Sequence, residues 1–207
     1  MNAATGDFAV VEYHVFDDTA TSWGNARLNF YGSLYNGVPF FVYNGKYDAW
    51  PISNYDDALL AELDIPTDVT IHMFGVPGIG VDEYDFVAEV CIEPGGIGKT
   101  MVFQMVQVLD KFPTHHTYSR NGFRQAASEE TLTIAAGACQ TVNRSFTFDS
   151  TSMATPEDIL VIAWAQANGT SGPADVHQAA ISHWPFAAPA PPLFEDGFED
   201  GTTDAWN

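Results

Sequence analysis

The stretch from Asp68 to Trp184 constrains the fold most. It holds seven short apolar or alternating runs: "DVTIHMFGV", "YDFVAEVCIE", "KTMVFQMVQVLD", "ETLTIAAG", "QTVNRSFTFD", "DILVIAWAQ" and "DVHQAAISHW". Turn-forming Gly, Pro, Asn and Asp separate them. Short strand-like runs at this spacing, with no helical pattern between them, predict an antiparallel sandwich of about 120 residues. "QTVNRSFTFD" alternates most clearly, with Val142, Phe146 and Phe148 on one face and Thr141, Asn143, Ser145 and Thr147 on the other. "DILVIAWAQ" is apolar on both faces and reads as a central strand.

The first 65 residues follow another pattern. "FAVVEYHVF" (8–16) reads as a buried strand. "GNARLNFYGSLYN" (24–36) spaces Ala26, Phe30 and Leu34 four apart, as a short helix does. In "GVPFFVYNGKYDAW" (37–50), Asn44-Gly45 is the favoured pair for a tight type I′ hairpin. "NYDDALLAEL" (54–63) has an Asn cap, acids in its first turn and a leucine stripe, so it reads as a helix that Pro66 closes.

Charge removes several functions. The chain carries 27 acidic against 7 basic residues, a net charge of −20. Nucleic acid and anionic lipid surfaces both need a dense cationic face, so neither is an expected partner. No run approaches the ~20 apolar residues of a membrane span. "MNAATGDFAV" has no basic region followed by an apolar one, so no signal peptide is visible, and export would take a signal upstream of residue 1.

Cys91 and Cys139 are the two cysteines. They form no C-x-x-C pair, which excludes a dithiol redox motif and a zinc knuckle. They read as one structural disulfide in an oxidising compartment, the alternative being two reduced, buried thiols.

"EPGGIGKT" (93–100) ends as a phosphate-binding P-loop does. The motif needs Gly where Glu93 stands, and it must open a helix. The following "MVFQMVQVLD" suits a strand, so the segment reads as a Pro-Gly-Gly turn and no nucleotide is expected. None of the six histidines has the i, i+4 spacing of a zinc enzyme, and the adjacent His115 and His116 read as a loop pair. Neither Ser119 nor Ser182 sits in G-x-S-x-G. No catalytic constellation is therefore expected. Calcium prefers carboxylate oxygens, which leaves Asp82, Glu83, Asp85, Asp196 and Asp200 as weak candidates against the plainer reading of a solvated acidic surface. Tyr43, Tyr47, Trp50 and Tyr55 cluster around the hairpin. They suit a sugar-stacking or partner-binding patch, or simply core and interdomain packing.

The order strand, helix, Gly37-Val38-Pro39, strand, Asn44-Gly45-Lys46, strand resembles the second half of a thioredoxin fold. That resemblance implies a cis peptide at Pro39 and a final helix over 54–63. Up to Phe186 the chain further resembles secreted, outer-membrane-associated bacterial proteins that join a thioredoxin-like domain to a C-terminal β-sandwich. "MVQVLDKFP", "YSRNGFRQAA", "RSFTFD", "LVIAWAQ" and "VHQAAISHWPF" carry it. The last residues, "LFEDGFEDGTTDAWN", are similar to short C-terminal extensions of secreted bacterial proteins. The strand and helix that bear Cys-x-x-Cys in a full thioredoxin fold have no counterpart here, so no residue inherits the catalytic cysteines. A sheet lacking that strand leaves an open edge or face near 8–16, which the sandwich, a partner or an upstream segment should cover.

The expected fold is α+β: a truncated thioredoxin-like domain over 1–65, an Ig-like antiparallel β-sandwich over 66–187, and a Pro-rich linker with an acidic tail over 188–207. The expected function is non-catalytic: a secreted or cell-surface protein, structural, adhesive or self-associating through an exposed sheet edge. One alternative is a thiol–disulfide oxidoreductase relative whose redox half is absent. Another is an extracellular sugar- or calcium-binding module. No cofactor is expected, calcium excepted.

Overall fold

The computed structural model describes residues 8–35, 37, 40–48, 55–63, 65–113, 120–169 and 172–186. Over these residues the chain is mainly antiparallel β-sheet with few helices. In chain order the elements are α1 (Ser22–Phe30), β1 (Val42–Tyr43), β2 (Tyr47–Asp48), α2 (Tyr55–Leu63), β3 (Val69–Pro77), β4 (Glu83–Ile92), β5 (Lys99–Leu109), β6 (Gly122–Ala126), β7 (Glu130–Ile134), β8 (Cys139–Thr147), α3 (Ser150–Met153), β9 (Ile159–Ala167) and β10 (Val176–His183).

All seven expected runs form strands. With β6 they make a five-stranded sheet ordered β10-β9-β5-β6, with β7 also pairing β5, and a three-stranded sheet ordered β3-β4-β8. The core between the sheets follows the two-residue period of each strand. Phe86, Ala88, Val90 and Ile92 of β4 face Met101, Phe103 and Met105 of β5 and Val161, Ala163 and Ala165 of β9. Val142 and Phe146 of β8 point inward while Thr141, Asn143, Ser145 and Thr147 are exposed. β9 lies between β10 and β5.

The other parity of β5 and β9 is also covered. Val106, Val108, Ile162 and Trp164 form, with Phe123, a second cluster on the outer side of the larger sheet. Val11, Tyr13 and Trp23 pack on it, so the N-terminal segment is a third layer over the sandwich. This corrects the expected buried strand over 8–16. The segment makes one isolated parallel bridge, Glu12 to Gly122, and no ladder joins it to β1 and β2 among the described residues. Val11 and Tyr13 pack against the sheet face, and Glu12 N–H donates to the Asn121 carbonyl at 3.0 Å.

Two local expectations also shift. α1 starts earlier and ends sooner than 24–36, because Thr21 caps it, accepting the Gly24 N–H at 3.0 Å, and a 3-10 turn over Gly32–Leu34 replaces the last helical turn. The Asn44-Gly45 hairpin forms with positive φ at both residues, 48° and 73°, though its strands have two residues each. Its tip abuts the β9–β10 connection: a Cβ on Gly45 would lie 2.2 Å from the Ala174 carbonyl oxygen. β6 is a strand that the sequence reading lacked.

Candidate functional site

Cys91 and Cys139 are directly opposed across β4 and β8, with Cα atoms 4.0 Å apart, and they form a disulfide. Core-facing Val90 and Ile92 flank Cys91, so the bridge lies on the outer face of the three-stranded sheet, where Cys139 is exposed. Glu89 brings a carboxylate to the two sulfurs. With the sulfurs bonded to each other, neither offers the thiolate that a metal would need.

The P-loop-like segment holds an anion of its own. It connects β4 to β5 and so crosses from one sheet to the other. Asp68, at the start of β3, sits inside it: Ile97 N–H donates to its carboxylate at 2.9 Å, and Lys99 Nζ lies 2.5 and 2.6 Å from its two oxygens. A Cβ on Gly96 would come within 2.7 Å of the same carboxylate. These bonds, the Lys99 bond first, hold the Asp68 carboxyl below its ordinary pKa. One backbone N–H of the loop and the Lys99 ammonium thus hold a negative group that is part of the chain.

Of the aromatic cluster, Tyr43 and Tyr47 come together, with rings stacked 5.5 Å apart. The Lys46 ammonium lies 4.9 Å from the Tyr47 ring centre and 2.5 Å from Asp175. Tyr55 opens α2, and Trp50 lies outside the described residues, as do Pro39, His115, His116, Ser119, Asp196 and Asp200. Ser182 lies on β10.

Of the weak calcium candidates, Asp82, Glu83 and Asp85 lie among the described residues. Glu83 folds over its own turn to accept the Gly80 N–H at 2.7 Å. Asp85 accepts from the Ser145 hydroxyl across the β4–β8 pair. Among the described residues, the three carboxylates of Asp82, Glu83 and Asp85 form no common set of ligands.

The most unusual group is one that sequence reasoning missed. Arg27 of α1 is buried against the sheet, and its guanidinium lies 4.5–5.9 Å from the ring centres of Phe30, Tyr31, Trp23 and Trp164. It donates to the Tyr31 hydroxyl and, at 3.3 Å, to Gln166 Oε1, while its Nε has no hydrogen-bond partner among the described residues. Aromatic faces and neutral oxygens thus stabilise this cation. Burial pushes the neighbouring Tyr13 phenol far above its ordinary pKa, and the guanidinium pulls the other way. The only signal in the sequence was an Arg four residues from two of its aromatics, Trp23 and Tyr31.

The remaining polar groups largely bind one another. Arg144 pairs with Glu130 at 2.8 Å, Lys111 with Asp158 at 3.0 Å, Arg120 with Asp110 at 2.6 Å, and Arg124 with Asp149. His14 bonds Asp17 at 2.8 Å. That bond, together with two from Thr19, lowers the Asp17 carboxyl to about 2. Burial first, then the Lys99 charge, lowers the His177 imidazole. No helix among the described residues is long and apolar enough to cross a membrane.

No family model and no curated protein matches the chain. Among solved structures it is similar to HBP35 of Porphyromonas gingivalis, with a TM-score of 0.61 at 14% identity. That match covers 77% of this chain and 56% of the other, so the chain spans little more than half of its neighbour. A domain of the outer membrane lipoprotein Omp28 from the same organism matches at a TM-score of 0.40 and 12% identity, covering 58% of this chain and 91% of that domain. At these identities the first likeness speaks for the fold.

Proposed function

We propose that the chain is a non-catalytic secreted or cell-surface protein that acts by contact, in a structural or adhesive role. The Cys91–Cys139 bridge carries this reading. It lies on the outer face of a sheet, with Cys139 exposed to solvent, and a bridge so placed persists where thiols are oxidised, outside the cytoplasm. Alkylation and mass spectrometry of the protein taken from its own cells without reductant test it. A bridged pair in an extracytoplasmic fraction supports the reading, and two alkylated thiols in the cytosol would sink it.

The contact surface in this reading is the outer edge of β10. Ala179 turns its N–H away from β9 and donates it to the side chain of Gln178 at 2.9 Å, and antiparallel alternation turns Ile181 and His183 the same way. No strand pairs with β10 on that side among the described residues, and β10 carries neither the Lys nor the Pro that blunts an edge. Self-association through this edge predicts a dimer or larger species by light scattering, lost on Ala179→Pro, which removes the outward N–H. A strict monomer at high concentration contradicts it.

The stacked Tyr43–Tyr47 pair favours a second reading, an extracellular sugar-binding module, since a half-exposed ring stack suits a sugar face. A glycan array with wild type and Tyr47→Ala distinguishes the two. A thioredoxin-like ancestry for residues 1–65 draws support from the Asn-Gly hairpin followed by α2.

A further inference from the structure

Four large apolar side chains stand far into solvent: Ile79 (104% exposed), Val81 (86%), Ile97 (76%) and Phe16 (74%). Three of them share one end of the sandwich. β3 ends and β4 begins there, and Ile79 and Val81 lie on the turn between them. β5 ends and β6 begins at the same end, where the His14 ring meets Phe112 and Glu12 bridges Gly122, two and four residues before Phe16.

Both exposures are built into the backbone. Across the β3–β4 turn, Gly78 N–H donates to the Glu83 carbonyl at 2.8 Å and Gly80 N–H to the Glu83 carboxylate at 2.7 Å. A Cβ on Gly78 or Gly80 would lie 2.8 or 2.5 Å from the Glu83 side chain, which would have to swing aside for it. Phe148 N–H donates to the Asp82 carbonyl at 2.9 Å and fastens the turn to the sandwich. The tip is therefore a held knob with Ile79 and Val81 outermost. Phe16 has φ of 67°, a left-handed conformation that a bulky residue rarely adopts. Asp17 follows it and is held by His14 and Thr19.

We propose that this end of the molecule rests peripherally on a neutral, zwitterionic lipid surface, with Ile79 and Val81 entering the headgroup–acyl boundary and Phe16 as a second, separate anchor. A specific protein interface takes roughly 800 Å² per partner. Two side chains between glycines offer far less, whereas lipid closes around a convex tip without a matching pocket. Charge selects the kind of lipid. Asp82 on the turn, Glu157 just before β9 and Asp17 beside His14 lie at this end, while the cations Lys111 and Arg120 are paired to Asp158 and Asp110. A surface this acidic is repelled by anionic headgroups and tolerated by neutral ones.

Flotation with vesicles of phosphatidylcholine, and with equal parts phosphatidylcholine and phosphatidylglycerol, tests the proposal. Wild type should float with phosphatidylcholine and more weakly with the mixture. The double variant I79S/V81S should bind roughly tenfold less or worse, and F16S should lose a smaller part, since each removes apolar area that leaves water on insertion. Ile79 and Val81 are so exposed that the double variant should keep the wild-type melting temperature, which separates a lost anchor from a lost fold. No flotation with phosphatidylcholine overturns the proposal, as does full binding by I79S/V81S or stronger binding with phosphatidylglycerol.

Discussion

The two layers on either side of the five-stranded sheet are ordered by different means. On one side the three-stranded sheet meets it through strands of nine to ten residues in continuous register, with Phe86, Phe146 and Phe103 closing the core. On the other side the described residues of 8–48 contribute one bridge, a nine-residue helix and two-residue strands. A few anchors hold that layer. Trp23 stacks on Phe123 at 4.7 Å, Tyr13 tilts against both rings, and Arg27 sits among four aromatic rings. A ladder spreads its stability over many residues, whereas a docked layer concentrates it in few.

This contrast predicts a graded set of losses. Phe103→Ala empties the centre of the sandwich and should cost about 3–5 kcal/mol in chemical denaturation, with both layers unfolding together. A milder loss would mean that the core is not shared. Replacing Cys91 and Cys139 by Ala frees a loop of sequence separation 48 and should cost about 2–4 kcal/mol, read as a lower melting temperature with the strands intact by circular dichroism. Trp23→Ala should cost about 2–3 kcal/mol, confined to residues 8–48. Arg27 sharpens the comparison further. Arg27→Ala removes the packed stem and should cost about 2 kcal/mol, while Arg27→Met keeps that packing and also removes a buried charge that has no carboxylate partner among the described residues, so it should stay within about 1 kcal/mol of wild type.

The smallest effect has a defined pH dependence. Asp68 binds Lys99 and Ile97 at the junction of the two sheets, and its carboxyl is held below the ordinary value. A depressed carboxyl stabilises above its unfolded pKa of about 3.9 and ceases to do so as pH falls through its folded value. Because the pair is partly exposed, Asp68→Asn should cost under about 1 kcal/mol at pH 7. The variant and the wild type should converge in acid. A gap that persists there would assign the effect to packing.

The same contrast explains what was legible in the sequence. Alternation in "QTVNRSFTFD" and the apolar run of "DILVIAWAQ" state their burial locally, because a strand's period is two whatever it packs against. β6, "GFRQA", has no such period, and it is a strand because β5 supplies its partner. Residues 8–16 have strand composition, yet the sheet face takes their side chains before any edge does. The Asn44-Gly45 turn was readable because few residue pairs accept positive φ twice. The Cys91–Cys139 bridge followed from counting to two, but its place on the outer face needed the register. The Arg27 cage required knowing that Trp164 and Gln166, far along the chain, lie beneath α1.

Hydrogen–deuterium exchange on wild type and Trp23→Ala tests the central claim most directly, that a self-sufficient sandwich carries a docked N-terminal layer. The account predicts faster exchange across residues 8–48 in the variant, with β5 and β9 as protected as in wild type. Equal loss of protection in β5 and β9 would contradict it and make the two layers one cooperative unit.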